Sequence, residues 1–275
     1  MVKPSDPNAG KTSSPPILRG KQHDAPSVFQ PEGLLREARR QRGTTGETIP
    51  ELCLLDPDGD IVRLLASRGD ARLVDNWSCY HSDMYAFESG GRQVGIVGCA
   101  VGAPYAVLVG EQMFASGCRL LVSITSSGEL KPLGPRPYFV LIEQALRDEG
   151  TSYHYVPAGE FAAADAGLLE RIHDTISSAG LAIHRGRTWT TDAPFRETQH
   201  LLDEGRRLGL AAVEMETAAL YALAQARGFA VICLAHVTNV MAAMEGDFEK
   251  GEGGGAVDAL RIVEAISVKF EDILA

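Results

Sequence analysis

Two continuous apolar runs joined by a helix-like segment constrain the fold of this chain more than any other feature of its sequence. Residues 92–101 (RQVGIVGCAV) and 119–128 (RLLVSITSSG) are typical of strands that are buried on both faces. Between them, residues 105–117 have the apolar spacing of a helix that ends at Gly117. Such a strand–helix–strand unit places its two strands parallel in one sheet.

The rest of the chain repeats this alternation. A second unit consists of a strand (LGLAAVEM), a helix that Gly228 ends, and a strand over residues 229–239. The residues between these two units predict helices at 136–150 and 166–180 and a strand that leaves into a loop near residue 190. Outside them, we expect helices at 31–43 and 255–274, and a strand, a turn and a helix over 51–65.

This order predicts one α/β domain with a central, mostly parallel mixed sheet flanked by helices. We expect the domain to span residues 28–275. Residues 1–27 are rich in Pro, Ser and Lys, which predicts an N-terminal arm that is disordered or draped over the domain.

Net charge and residue composition limit the kinds of ligand and partner that we expect for this chain. The net charge is −10 and no basic stripe occurs, so we expect a small-molecule substrate and no nucleic-acid partner. No apolar run has the length of a membrane span or of a signal peptide, so no membrane partner is expected. The five cysteines are scattered, which indicates free thiols in a reducing cytoplasm, and the seven histidines lack metal-site spacing. We therefore expect a cytoplasmic protein without a metal.

Small and polar residues follow four of the predicted strands. They are Ser126, Ser127 and Gly128; Glu214, Met215 and Glu216; Thr238 and Asn239; and the loop TTDAPFRET at 190–198. Each group alone fits an ordinary turn or helix cap. Because ligands of such sheets bind at the carboxyl ends of strands, four groups at equivalent ends favour a binding site.

Glu216 is the most informative of these residues. Helical spacing puts it on the face of Leu220 and Leu223, which a solvent-facing glutamate would avoid. An acid in the first helical turn has an ordinary explanation in the helix dipole, but the dipole does not explain a buried orientation. A buried carboxylate needs hydrogen-bond donors, and a vicinal diol supplies two, while Met215 offers an apolar contact for a sugar ring. This combination indicates a ribose site.

These motifs carry a resemblance. VEMETAALYALA resembles the ribose-binding signature of the nucleoside phosphorylase family, which includes uridine phosphorylase, purine nucleoside phosphorylase and methylthioadenosine nucleosidase. The segments around residues 98–130, 190–198 and 231–239 are similar to the family's other site segments in the same order. The uridine phosphorylase-like members are the most similar.

The resemblance implies a phosphorylase-type fold and cleavage of the N-glycosidic bond of a nucleoside. It assigns Met215 and Glu216, with Glu214 in the same motif, to ribose. It assigns Ser126 to phosphate or the attacking group, in a loop with Ser127 and Gly128. The remaining assignments are Phe195 for stacking on the base, Arg196 for a base carbonyl, Asn239 for the base end, and His81 either for a 5′-hydroxyl or for a structural role.

Two departures from the family pattern leave the nucleophile open. The family's G-D-P-x-R turn is LDPDG here at residues 55–59, and Ser123 stands where a second arginine is expected. Both residues that would bind phosphate through charge-assisted hydrogen bonds are therefore replaced. Arg63, Arg72, Arg196 or a neighbouring subunit would have to supply the missing charge, or water would replace phosphate.

The expected function is that of a nucleoside phosphorylase, with inorganic phosphate as co-substrate, no cofactor, and ribose 1-phosphate and a free base as products. Asn239 stands where purine-specific members have an aspartic acid that protonates the base, which favours a uridine-like or 6-oxopurine nucleoside. A nucleosidase that uses water and a nucleoside-binding protein without catalysis are the alternatives. The resemblance also implies a homo-oligomer, either a dimer or a hexamer.

Overall fold

Strands and helices alternate along most of the chain. The computed structural model describes residues 14–44, 48–241 and 245–275, and within these ranges ten strands form one sheet. The strands are β1 Leu52–Asp56, β2 Ala71–Leu73, β3 Tyr85–Ser89, β4 Arg92–Gly98, β5 Leu120–Glu129, β6 Tyr138–Asp148, β7 Phe161–Ala163, β8 His184–Thr191, β9 Ala212–Glu214 and β10 Ala230–Asn239. The helices are α1 Pro31–Arg42, α2 Asp60–Arg68, α3 Ala103–Ala115, α4 Ala166–Ser178, α5 Gln199–Arg207, α6 Thr217–Arg227, α7 Ala256–Val268 and α8 Phe270–Leu274.

The sheet consists of a closed ring of five strands and an open part in which β1, β4, β3 and β2 extend from β5. The strand order is β10-β6-β8-β9-β5-β1-β4-β3-β2, with β7 beside β6, and β5 also pairs with β10. This additional pairing closes β5, β10, β6, β8 and β9 into a ring. The pairings β4–β1, β1–β5, β5–β10, β6–β8 and β8–β9 are parallel, and the other five described pairings are antiparallel. The predicted α/β class with a mixed sheet is therefore confirmed.

Two large hydrophobic cores hold most of the helices against the sheet, and a smaller third cluster packs Leu202 of α5 against Trp189 of β8. On one face, Met113 of α3 and Leu220 and Leu223 of α6 pack against β5 and β10. On the other face, Ile172 of α4 and Ile266 of α7 pack with the opposite side chains of the same strands. Burial of each such side chain stabilises the fold by about 1.5–3 kcal/mol. Because β1, β5 and β10 lie between two helical layers, their sequences are continuous apolar runs.

The predicted helix at residues 136–150 is wrong, because this segment forms β6. Residues 138–142 are buried and pair with β10 on one side and β8 on the other. The aromatic and branched side chains suit a two-sided strand, and closure of the ring overrides the helical spacing of the segment. The hydroxyl of Tyr221 donates to the Ile142 carbonyl (2.6 Å), next to a register shift between β6 and β8.

The described part of the N-terminal arm lies on the domain. A short 3₁₀ turn, Pro16–Leu18, precedes contacts in which Lys21 Nζ lies 2.7 Å from His154 Nδ1 and His23 Nε2 lies 3.2 Å from the Tyr153 carbonyl. Residues 1–13 of the predicted arm lie outside the described residues, and the boundary at residue 28 stays a prediction. No helix in the described ranges has the length and apolar character needed to cross a membrane.

Candidate active site

The junction of β9 and α6 contains the two glutamates of the predicted ribose motif. Glu214, the last residue of β9, is buried, and its carboxylate accepts hydrogen bonds from the Thr188 and Thr190 hydroxyls at 3.1 and 2.5 Å. The carboxylate also accepts the backbone N–H groups of Glu216 (2.8 Å) and Thr217 (2.7 Å). Both oxygens of Glu214 are therefore used inside the protein, where they fix the turn and the start of α6.

Glu216 occupies the N-cap position of α6, and its side chain points inward without bonding to the first turn of the helix. The residue is 1% exposed, which agrees with the buried orientation that the sequence predicts. Its Oε1 accepts the Gly102 N–H at 2.7 Å, and the Thr125 hydroxyl lies close enough to interact with the carboxylate, but Oε2 makes no hydrogen bond of ordinary geometry with the described residues. Burial, and next the charge of Glu214, raise the pKa of Glu216 to about 8. A buried acceptor without a partner costs about 1–3 kcal/mol, so the free oxygen is suited to a donor from a ligand.

Gly102 is a site residue that the sequence analysis missed. It precedes α3, and its φ of 90° and ψ of 145° suit glycine. Its N–H belongs to the positive end of the α3 dipole, which attracts the Glu216 carboxylate. The signal was present in the sequence as a glycine between a buried strand and Ala103–Pro104, at the start of a helix.

The end of β5 brings Ser126, Ser127 and Gly128 to the same edge of the sheet. The Ser126 N–H donates to Asp58 Oδ2 at 2.7 Å, and its Oγ lies 3.3 Å from Thr238 Oγ1. Ser127 is buried and donates to the Thr125 carbonyl (3.2 Å). A Cβ at Gly128 would lie 2.8 Å from Met241 Sδ, so a side chain at this position would require Met241 to move.

An acidic turn between β1 and α2 faces Ser126. Asp56 is buried and accepts the N–H groups of Gly59 (3.0 Å) and Val62 (2.9 Å), and burial is the main cause that raises its pKa to about 6. Lys250 Nζ bridges Asp58 Oδ1 (3.3 Å) and Asp60 Oδ2 (2.6 Å). The sequence analysis did not identify Asp58 and Lys250 as site residues, and they meet only because the fold brings the loop before α7 onto this turn.

The three candidate arginines occupy different places. Arg63 folds back over the acidic turn, and its Nη2 donates to the Asp58 carbonyl and to Asp60 Oδ1, both at 2.7 Å. Its guanidinium fills the space beside Gly59, where a Cβ would lie 2.8 Å from Nη1. Arg72 lies in β2 at the edge of the sheet and bonds to Gln93 (3.0 Å). Arg196 lies in the 3₁₀ turn Pro194–Arg196.

The predicted base-binding residues are only partly brought together. Asn239 is buried at the end of β10, pairs in register with Gly128, and donates to Thr238 Oγ1 at 3.1 Å. Phe195, in contrast, is 99% exposed, so it provides no stacking surface in this conformation. His81 is exposed; its carbonyl accepts the Tyr105 hydroxyl at 2.7 Å and its backbone N–H donates to Cys79 Sγ at 3.4 Å.

The structure therefore brings one group of the predicted site residues together and leaves the others apart from it. The residues on strand ends share one edge of the sheet, and Met215 lies half-buried between the two glutamates. These residues are Ser126, Ser127, Gly128, Glu214, Met215, Glu216 and Asn239. Phe195, Arg196 and His81 lie outside that group. Within the described ranges, no group of three or more His, Cys, Asp or Glu side chains could hold a metal ion.

Two acidic segments lie near one another at this edge of the sheet. The charge of Asp58 contributes to raising the pKa of Glu216, so the acidic turn and the β9–α6 junction act on one another. A ligand that donates O–H groups suits the Glu216 side of this edge, whereas the aspartates of the acidic turn are already paired with Lys250 and Arg63.

Comparisons with known proteins agree with this architecture. Residues 52–266 match the family model described as the phosphorylase superfamily. A uridine phosphorylase from Thermococcus kodakarensis is 25% identical over 243 residues, which cover 78% of this chain and 84% of the relative. A DeoD-type purine nucleoside phosphorylase from Bacillus cytotoxicus is 29% identical over 140 residues, or 50% of this chain and 60% of the relative.

Solved structures show the same fold. A purine nucleoside phosphorylase from Toxoplasma gondii, in complex with immucillin-H, superposes with a TM-score of 0.70 at 17% identity, covering 82% of this chain and 93% of the other. A uridine phosphorylase from Vibrio fischeri gives a TM-score of 0.66 at 19% identity, with coverages of 80% and 90%. Because the family model spans well over half of the sequence, the chain belongs to the phosphorylase superfamily.

Proposed function

We propose that this protein is an enzyme that cleaves the N-glycosidic bond of a ribonucleoside. The observation that carries the proposal is the state of Glu216: a buried carboxylate with one oxygen fixed by the Gly102 N–H and the other without a hydrogen bond of ordinary geometry to the described residues. The 2′- and 3′-hydroxyls of a ribose supply the O–H donors that this carboxylate lacks. The similarity to uridine and purine nucleoside phosphorylases supports the same chemistry.

Glu216 also suits the transition state of this reaction. As the bond between C1′ and the base breaks, positive charge develops on C1′ and the ring oxygen of the sugar. A carboxylate that is held rigidly beside the sugar binds this charged state more strongly than the neutral nucleoside, which lowers the barrier. Met215, half-buried beside Glu216, provides an apolar contact for the sugar ring.

Asn239 favours the class of base that we propose. Its buried amide lies at the end of β10 and can donate to a carbonyl oxygen or accept from an N–H, but it cannot act as a general acid. These properties suit a uridine-like or 6-oxopurine base, which leaves as an anion that hydrogen bonds can stabilise. Phe195 and Arg196 lie in the turn Pro194–Arg196, where Phe195 is exposed, so their contact with the base stays a prediction.

Base release from a panel of uridine, thymidine, inosine, guanosine and adenosine, with and without phosphate, tests the proposal. Release from at least one ribonucleoside, lost in Glu216→Gln but kept in the exposed matched control Glu264→Gln, is the expected result. Tight binding of a nucleoside without release in either condition would instead identify a binding protein. The homo-oligomeric state and the cytoplasmic location stay predictions.

A further inference from the structure

At the end of β5, a backbone donor suited to an anion is already occupied by a carboxylate of the same chain. The Ser126 N–H donates to Asp58 Oδ2 at 2.7 Å, while Lys250 Nζ holds Asp58 Oδ1 at 3.3 Å. Asp58 is thus fixed from two sides. It stands against the serine that the resemblance assigns to phosphate or to the attacking group.

Phosphate would have to displace Asp58 to reach the Ser126 N–H. It would then meet the charges of Asp58 and Asp60, and the nearby cations are already engaged: Lys250 pairs with both aspartates, and Arg63 pairs with Asp60 at 2.7 Å. Water carries no net charge and can donate to a carboxylate that has already accepted one N–H, because each carboxylate oxygen has two lone pairs.

Resting on the proposed glycosidic cleavage, we infer that the attacking group is water and that Asp58 is its general base, which makes the protein a nucleoside hydrolase. The water oxygen forms a bond to C1′ as the bond between C1′ and the base nitrogen breaks. Asp58 accepts the proton that the water loses. The base leaves with the electron pair of the broken bond and takes a proton from solvent, and Asp58 returns its proton to solvent. The products are free ribose and free base.

The neighbours of Asp58 orient it for this role. A general base must be held within hydrogen-bond reach of the proton that it accepts. The Ser126 N–H fixes one oxygen, and Lys250 ties the aspartate to the loop before α7. Lys250 is therefore a positioning residue in this inference, and Asp58 is the residue that touches the attacking water.

Isotope incorporation in the unaltered full-length chain tests the inference directly. With a nucleoside that the protein cleaves, in phosphate-free buffer made with H₂¹⁸O, we expect free ribose that carries ¹⁸O at C1. Added phosphate should change the rate by less than about twofold and should yield no ribose 1-phosphate.

Substitution of Asp58 provides the second measurement. Asp58→Asn keeps the shape of the side chain but removes its basicity, so kcat should fall about 10²- to 10⁴-fold while KM changes little. Asp70→Asn is the matched control, because Asp70 is exposed beyond the far end of α2, and its kcat should stay within about threefold of the unaltered protein. Thermal melting of both variants checks that they fold.

The opposite result would assign Asp58 a different role. Cleavage that requires phosphate, yields ribose 1-phosphate, and shows a raised KM for phosphate in Arg63→Met would overturn the inference while leaving the proposed glycosidic cleavage intact. Absence of base release from every nucleoside in the panel, with and without phosphate, would overturn both.

Discussion

Two turns of this molecule, one after β1 and one after β9, have the same plan and differ in how their second carboxylate is paired. In each turn, the last residue of the strand accepts two backbone N–H groups at the start of the next helix. Asp56 does so for Gly59 and Val62, and Glu214 does so for Glu216 and Thr217. Two residues after each capping acid, a second carboxylate faces the shared edge of the sheet.

The second carboxylate is paired with a cation in one turn and incompletely bonded in the other. Asp58 accepts the Ser126 N–H and pairs with Lys250, whereas Glu216 accepts one N–H, has a free oxygen, and makes no salt bridge among the described residues. A paired carboxylate is a fixed charge that repels anions, while a buried and incompletely bonded one attracts neutral donors. The β9 turn is therefore suited to hydroxyls, and the β1 turn is suited to water.

The largest expected effect is that of replacing Glu216, the incompletely bonded carboxylate of the β9 turn. Glu216→Gln should lower kcat/KM about 10²- to 10³-fold, because the amide cannot become the carboxylate that favours the transition state and lacks one acceptor for the ribose. Steady-state kinetics with the preferred nucleoside measures this loss, and urea unfolding shows whether the fold is intact. A parallel loss of stability and activity would contradict a role in sugar binding.

Replacing Glu214, in contrast, should mainly lower the stability of the fold. Four donors point at its two oxygens, so in Glu214→Gln at least one of them meets an amide NH₂. We expect a loss of about 2–4 kcal/mol in the free energy of unfolding. Urea unfolding of this variant beside Glu216→Gln gives the measurement. If the two glutamines have equal effects on stability, the distinction between a capping and a ligand-binding acid is wrong.

The sequence predicts the parts of this fold and site that depend on local patterns. Buried strands such as β4, β5 and β10 are visible as continuous apolar runs, and the inward orientation of Glu216 follows from helical spacing. Strand β6 could not be recognised in the same way, since its neighbours in the closed ring determine its conformation more than its own spacing does.

Contacts that join distant segments could not be predicted. Lys250 reaches Asp58 across 192 residues, and Asp58 reaches Ser126 across 68. The sequence showed only that an arginine and a glycine are missing from the turn at residues 55–59, not what replaces them. Phe195 illustrates the reverse case, in which a local motif is clear but the fold does not complete the contact. Its motif predicts base stacking, yet its side chain is exposed to solvent.

The pH dependence of stability should show whether Glu216 is protonated in the folded protein. Glu216 has a folded-state pKa of about 8, against an ordinary value of 4.5, because of its burial and the nearby charge of Glu214. Over this interval the folded protein holds a proton that the unfolded chain releases, so stability should fall as the pH rises, by about 4 kcal/mol by pH 8. Urea midpoints from pH 5 to pH 8.5 should show a shallower decline in Glu216→Gln than in the unaltered protein. Equal slopes would mean that Glu216 is ionised throughout that range.

The smallest expected effect concerns the cation that distinguishes the β1 turn. Lys250→Met removes the bridge between Asp58 and Asp60, and because these side chains are partly exposed we expect a loss of about 1 kcal/mol or less. The charges that remain are accessible to ions, so added salt should reduce the difference between the variant and the unaltered protein. The effect of Glu214→Gln should hardly change with salt, since its carboxylate is bonded inside the protein. Unfolding free energies at low and high ionic strength test this contrast, and a salt-independent effect of Lys250→Met would show that the lysine acts by packing rather than by charge.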